Sequence, residues 1–479
     1  MSSSPLALVI VPLVASLGLA VRAIRERATI VLVCVGIVAS VLAVWQAIAP
    51  ASQPLLGGFV RVDATSRLFL GVVNPVFLGV SVYIWNRVST TPVLWDGMGR
   101  LVWLALAFLA TANTVLLANH LVFLWIALEA TTLTAAPLIV RAGSAASRQA
   151  SWHYLLFSSV GLGLVLLGFL CLARSLEADG HEPTFFVDRL PELVAGGANL
   201  WRKLGLVLVL LGLGTKLGLA PMYSWLPEVY DEAPPAVTAL LAAVQFNCAL
   251  VVLFRIVQVY RSGNGELLAV ALVTMGTISM VVSTFSIIAT RNMKRLIAYA
   301  SINHAGVIAI GLGVGKAASY GLLLYVISNA FIKAILFLTA GKIKAHYRTK
   351  DTRRISGLLK DLPYSGVLLM IGTFALLGFP PFGSFIGELL ILSALVSSGH
   401  MLVFSAFCLL ITMTFIATGR TIFPMIWGEP KQQHTWPRQT FLSASPKIVF
   451  LATLVVLGIY IPPAVNELIL QVAASLEGP

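Results

Sequence analysis

The 479-residue chain is 58% hydrophobic and only 11% charged, with a mean hydropathy of +0.93 and a formal net charge of +13. Soluble domains carry about 25% charged residues, so this composition excludes a soluble globular fold and reads as a polytopic membrane protein. In such a chain basic residues report topology, and nucleic acid is not an expected partner.

A crossing needs about 20 apolar residues at 1.5 Å rise each. In chain order, such runs are predicted at 5–22, 28–49, 67–87, 100–117, 119–141, 152–174, 203–230, 234–260, 266–289, 296–314, 316–343, 364–393, 398–425 and 447–473. The expected fold is therefore an all-α bundle of about fourteen transmembrane helices. Residues 5–21 have no basic segment before them and no small-residue cleavage site, so they read as the first span rather than a removed leader. The four cysteines (Cys34, Cys171, Cys248 and Cys408) fall in four separate apolar segments. They spell out no disulfide framework, zinc site, haem box or iron–sulfur motif, and no metal or other cofactor is expected in this chain. The segment GVGKAAS at 313–319 lacks the complete phosphate-loop pattern and sits at a span junction.

An even number of crossings places both termini on one side. The denser set of basic loops contains Arg22, Arg25 and Arg27; Arg291, Lys294 and Arg295; and Lys342, Lys344, Arg348, Lys350, Arg353, Arg354 and Lys360. The positive-inside rule puts that set in the cytoplasm and both termini outside. Residues 342–360 are dense enough in charge to suggest a partner surface besides headgroup contact.

Four charges remain deep in predicted spans. They are Glu129 in FLWIALEATTL, Lys216 in GTKLGLAPMYSWLPEV, Lys333 in NAFIKAILFLTAG, and Glu388 in ALLGFPPFGSFIGELL. An ionised group at membrane depth costs about 2.5–3.5 kcal/mol on insertion scales, so such residues face one another or a wet cavity and often mark a proton path. Two of the four lie beside helix breakers. Pro221 and Pro227 follow Lys216, and Pro380 and Pro381 precede Glu388. A proline removes a backbone donor and clashes with the preceding turn. In lipid, the freed carbonyls are tolerated only where protein or water satisfies them. Interrupted helices at matching positions in two halves point to an inverted-repeat ion transporter. The predicted division is a three-helix segment at 1–99, five-helix repeats at 100–260 and 266–425, and a loop with the last span at 426–479.

Several stretches, within about residues 60–425, together resemble one family: FLWIALEATTL, TKLGLAPMYSWLPEVYDEAPPAVTALL, KRLIAYASINHAG, NAFIKAILFLTAG, and ISGLLKDLP followed by GFPPFGSFIGE. These are similar to the antiporter-like subunits of respiratory NADH dehydrogenase (complex I), multisubunit sodium/proton antiporters and group 4 hydrogenases. The wording of EATTLTAAPL and EAPPAVTALLAAVQFNCAL looks most like the F subunit of hydrogenase-4. The resemblance implies a proton relay near the midplane. In it Glu129 modulates Lys216, Lys333 stands at the centre of the second half, and Glu388 is the exit-side carrier. It further implies that His304 lies near a gate. Where relatives have a Lys or His in the eighth helix, this chain has Ala242 and Asn247; where a His precedes the eleventh-helix lysine, it has Asn329. Asn247 and Asn329 can anchor water but cannot carry a proton. The link from Lys216 to Lys333 is then expected to run through water, supported by Tyr325, Ser328 and His304.

The resemblance implies other membrane subunits as partners and, through them, a soluble redox module, in a bacterial or archaeal cytoplasmic membrane. Alternatives that use the same residues stay open: a sodium/proton antiporter, alone or multisubunit, a membrane scaffold, or a subunit energising inorganic-carbon uptake.

Overall fold

Apolar runs interrupted by Gly and Pro leave a chain little choice but helices, because each helix satisfies its own backbone polar groups without water. The computed structural model describes residues 4–21, 26–49, 53–90, 98–195, 199–430 and 441–477; Arg22 and Arg25 lie outside them. Among the described residues β geometry is confined to isolated bridges such as Asn292 with Asp351.

The helices are α1 (Ser4–Gly18), α2 (Ala28–Ile48), α3 (Ala64–Thr90), α4 (Met98–Leu117), α5 (Leu121–Ile139) and α6 (Ala145–Ala178). They continue as α7 (Leu200–Leu217), α8 (Trp225–Glu232), α9 (Pro235–Leu240), a π-turn (Leu241–Gln245) and α10 (Phe246–Ala289). The last group is α11 (Met293–Val314), α12 (Lys316–Tyr347), α13 (Pro363–Leu376), α14 (Gly383–Ser397), α15 (Met401–Trp427), α16 (Phe441–Ile459) and α17 (Pro463–Ser475). Among the described residues, nine helical stretches are long and apolar enough to cross a membrane, or ten if a pair bent by 73° near the C-terminus counts as one.

One of the nine runs for 55 residues, Pro235–Ala289, far more than a bilayer needs. It departs from helical geometry at Asn264 (φ −134°, ψ 31°). Cys248 lies within electrostatic reach of Lys216, the Tyr260 hydroxyl abuts Gly205, and Met275 abuts Gly214. The chain thus descends along α7, reverses near Asn264 and climbs back, so this stretch contains both predicted segments, 234–260 and 266–289.

Close helix pairs meet at glycines, as expected where lipid offers no hydrophobic drive and packing must be tight. A Cβ on Gly212 would sit 2.4 Å from the Gly161 carbonyl oxygen, joining α6 to α7. Likewise Gly276 meets the Gly306 carbonyl between α10 and α11 at 2.6 Å, and Gly387 meets that of Gly321 between α12 and α14 at 2.7 Å.

The two expected helix breaks exist, though not all four prolines make them. α7 ends on Gly218 in the left-handed region (φ 69°), and Pro221 lies in the open segment before α8. Pro227, expected as a breaker, instead occupies the first turn of α8. There its missing N–H is one of the donors that has no helical partner anyway, so it interrupts nothing. Pro380 and Pro381 lie between α13 and α14. Protein groups satisfy much of the exposed backbone. The Trp225 indole donates to the Thr215 carbonyl at 2.7 Å, Ala220 N–H to Ser279 Oγ at 2.8 Å, and Ser384 Oγ to the Ala375 carbonyl at 2.7 Å.

From the sequence, Lys216 and Lys333 are the only deep bases. The structure also buries Arg202, Arg255, Lys294 and Lys447. Arg202 and Lys294 sit in the first turns of α7 and α11, and Arg255 lies within α10. Arg202 pairs with Asp179, Arg255 with Asp63 at 3.2 Å, and Lys294 Nζ donates to the Asp231 and Ala233 carbonyls at 2.9 Å each. Around Lys294 a network ties the loop end of α8 to the second half of the chain. Asp231 is approached by Lys350 Nζ at 2.7 Å, Arg295 Nε at 3.2 Å and Asn292 Nδ2 at 2.9 Å; Glu232 holds Lys350 at 2.9 Å and Arg141 at 2.5 Å.

Candidate functional site

The first cluster forms where α5, α6, α7 and the π-turn converge. Lys216 stands in the last turn of α7, directly before the break, and is buried. Its Nζ donates to Thr132 Oγ1 at 2.5 Å and to the Tyr154 hydroxyl at 3.3 Å, and lies 5.0 Å from the Tyr154 ring centre. Gln245 Nε2 donates to that same Tyr154 hydroxyl and to Thr131 Oγ1 at 3.3 Å. Gln245 closes the π-turn, a local widening of the helix often found at functional positions.

Glu129, one helical turn before Thr132, is half-exposed at the edge of the chain. It accepts from Ser159 Oγ at 2.7 Å while its second oxygen has no protein hydrogen-bond partner. No ion pair within 4.0 Å links it to Lys216 among the described residues, although the two are within electrostatic reach. Their coupling is therefore weaker than the ~4 kcal/mol of a unit pair ~4 Å apart at an effective dielectric of ~20.

The second cluster surrounds Lys333 in the middle of α12. Its side chain is 0% exposed, and Nζ lies 3.7 Å from the ring centre of Phe246, with no protein hydrogen-bond partner. Gln245 and Phe246 are successive residues, so the backbone of one turn connects the surroundings of Lys216 with those of Lys333. Asn247, buried on the same turn, bonds its own Ala243 carbonyl at 2.5 Å and leaves Oδ1 without a protein partner. Asn329 Oδ1 and Ser328 Oγ are buried in the same way.

The third cluster joins α11, α12 and α14. The Tyr325 hydroxyl bonds His304 Nδ1, and Glu388 lies within hydrogen-bonding reach of that hydroxyl. Glu388 and His304 both line a small cavity of about 20 Å³, with Asn303 and Thr414 on its polar wall. Asn303 Nδ2 donates to Ser283 Oγ at 3.2 Å, and Thr414 shares a hydrogen bond with Thr284 at 2.9 Å. Gly378, in the break before α14, has φ 66°, and a Cβ there would lie 2.1 Å from Glu388 Oε2.

Lys216 and Glu388 thus have polar protein groups around them, while Lys333 lies against an aromatic ring and Glu129 is half-exposed, and the supports are distributed differently from the expectation. Tyr325 and His304, expected to bridge Lys216 and Lys333, lie instead on the Glu388 side of Lys333. Ser328 also faces α14, lying 2.7 Å from a Cβ placed on Gly383. Helical spacing explains this, because Tyr325 is two turns from Lys333 along α12 and shares its level with α14. Sequence reasoning passed over Tyr154, Gln245, Thr131, Thr132, Ser159, Asn303 and Thr414. The available signal was their polarity inside long apolar runs, above all Gln245 in AAVQFNCAL.

Residues 118–414 match the family of membrane subunits described as NADH:quinone oxidoreductase/Mrp antiporter, TM. The chain is 30% identical over 370 residues to the hydrogenase-4 component F homolog of Methylacidiphilum infernorum (isolate V4), covering 75% of this chain and 76% of that protein. In fold it is similar to a chain of the membrane-bound sulfane sulfur reductase, an archaeal respiratory membrane complex (TM-score 0.86, 21% identity, 100% and 98% of the two chains). It is equally similar to a chain of the Mrp complex from Dietzia sp. DQ12-45-1b (TM-score 0.87, 19% identity, 99% and 97% covered). Running from before Glu129 to Thr414, the match takes in both broken helices and all three clusters: this chain belongs to the NADH:quinone oxidoreductase/Mrp antiporter family of antiporter-like membrane subunits.

Proposed function

We propose that this chain translocates protons as a membrane subunit of a redox-driven complex of the hydrogenase-4 or complex I type. Its partners would be other membrane subunits and, through them, a soluble redox module. In this reading it sits in a bacterial or archaeal cytoplasmic membrane with fourteen crossings and both termini outside. The basic residues gathered at one end of the bundle support that orientation. Residues 100–260 and 266–425 act as inverted five-helix repeats. In each, a glycine contact joins the third helix to one half of the broken fourth, α6 to α7 and α12 to α14.

The observation that carries the reading is the single turn Gln245–Phe246, which borders Lys216 on one side and Lys333 on the other. Glu129, at the edge of the chain, is placed to sense a charge in a neighbouring subunit. Moving its carboxylate changes the electrostatic cost of a charged Lys216. A proton leaving Lys216 travels to Lys333 through water beside Tyr154 and Gln245, anchored by Asn247 and Asn329, since buried polar atoms lacking protein partners recruit ordered water. From Lys333 it reaches His304, Tyr325 and Glu388, whose cavity has room for about one water.

In inverted membrane vesicles containing the assembled complex, Lys216→Ala is expected to reduce redox-driven proton uptake at least tenfold while subunit content stays unchanged. Undiminished uptake would refute the relay. Gly378→Ala is expected to weaken uptake by about tenfold as well. It forces a side chain into a left-handed backbone, at about 1–2 kcal/mol, and displaces the Glu388 carboxylate. The same vesicle assay, with blue-native gels for assembly, checks it.

A further inference from the structure

A cavity of about 700 Å³ lies away from the four deep charges, at the end of the bundle where α3, α5 and α12 finish and α4 begins. Its floor is apolar, built from Ile84, Val88, Leu101, Leu104 and Leu138, and Pro234 and Pro235 wall one side. Its rim carries Arg87, Arg100, Arg141, Lys344 and Arg348, and none of the described residues that line it is Asp or Glu. Arg141 shares its guanidinium with Glu232, and Arg87 donates to the Tyr83 hydroxyl at 3.3 Å. Arg100 is exposed and Lys344 half-buried.

We propose that this cavity binds one anionic phospholipid, its phosphate headgroup on the basic rim and an acyl chain along the apolar floor. Three observations select that occupant. The volume falls within the 300–1,000 Å³ range of small-molecule sites. The lining separates into a cationic rim and an apolar floor, the complement of an anionic amphiphile rather than of a free anion or a neutral helix. The site also lies at the end of the helices, where basic pockets between spans meet headgroups. The wall joins both halves of the seam. Pro235 begins the stretch that leads to Gln245, Lys344 shares α12 with Lys333, and Gly341 packs directly on Pro235. A bound lipid would brace these two helices against each other. The inference rests on the membrane reading above but not on the proton relay, so loss of one leaves the other standing.

The test uses the full chain, purified in detergent with whatever membrane subunits accompany it. Thermal unfolding and native mass spectrometry are followed on adding phosphatidylglycerol, phosphatidylcholine or inorganic phosphate. The expected result is retention of, and stabilisation by, phosphatidylglycerol alone. Arg100→Gln with Lys344→Gln should weaken its binding roughly 30-fold, at about fivefold for each basic residue lost. Arg100→Lys with Lys344→Arg should keep it, which separates lost charge from misfolding. Equal stabilisation by phosphatidylcholine, equal stabilisation by phosphate, binding unchanged in the double Gln variant, or no lipid effect at all would each overturn the proposal.

Discussion

Replacing Lys333 with methionine is expected to abolish redox-driven proton uptake, by tenfold or more, while leaving the thermal stability of the complex unchanged or slightly higher. The two effects part because Lys333 Nζ is wholly buried against Phe246 with no protein hydrogen-bond partner. Exchanging a buried charge for an apolar side chain of similar length removes a desolvation cost without breaking a pair, and such exchanges are often neutral or stabilising. A lysine kept only for packing would show the reverse, with uptake preserved. Vesicle proton uptake and detergent unfolding, measured on the same preparation, decide between them. A variant that melts early and still pumps would remove Lys333 from the relay.

Asp231→Ala is expected to destabilise the protein by about 3 kcal/mol, at the lower bound for breaking a buried ion pair because Lys350 and Arg295 retain some access to solvent. It would leave Lys350, Arg295 and Lys294 facing one another at the loop end of α8. The pH dependence follows from the same contacts. Burial pushes the Asp231 carboxyl up, but the hydrogen bond and charge of Lys350, with Asn292 and Lys294, hold it below the usual carboxylate range. Glu232 is likewise held down, against burial, by Lys350 and Arg141. A carboxyl lowered in the folded state stabilises fully above its unfolded value of ~3.9–4.3. That contribution is lost as pH falls through the lower folded value. Wild type should therefore lose stability steeply below pH ~4, and Asp231→Ala should show a shallower loss over that window. Melting curves of the two proteins in one detergent, from pH 7 downwards, read this directly. Parallel curves would mean that the network contributes nothing.

Hydropathy located the helices because crossing a bilayer requires a run of about 20 apolar residues whatever the tertiary partner. Glu129, Lys216, Lys333 and Glu388 stood out for the same reason: a charge inside such a run is costly and therefore conspicuous. Pro221, Pro380 and Pro381 marked the two broken helices, since a missing N–H is a local property. Pro227 misled because a first-turn proline and a helix breaker are identical as sequence and differ only in where the helix begins. Neutral polar residues such as Gln245, Tyr154 and Asn303 carried no comparable signal. A hydroxyl or amide can bond its own helix, as Asn247 does, or reach across to another.

Composition, hydropathy and the intramembrane charges, read along the chain alone, determined that this is an all-α membrane protein with titratable groups at depth, because each of those properties is paid for locally, residue by residue. Its antiporter-like kind was implied only by the resemblance of its motifs to that family. Only the packed bundle decided that Tyr154 and Gln245 lie around Lys216, that His304 and Tyr325 stand with Glu388, and that Arg202, Arg255 and Lys294 are buried. Those facts depend on which helix faces lie against one another, and that is settled by glycine-mediated contacts such as Gly161 with Gly212, between segments distant in sequence.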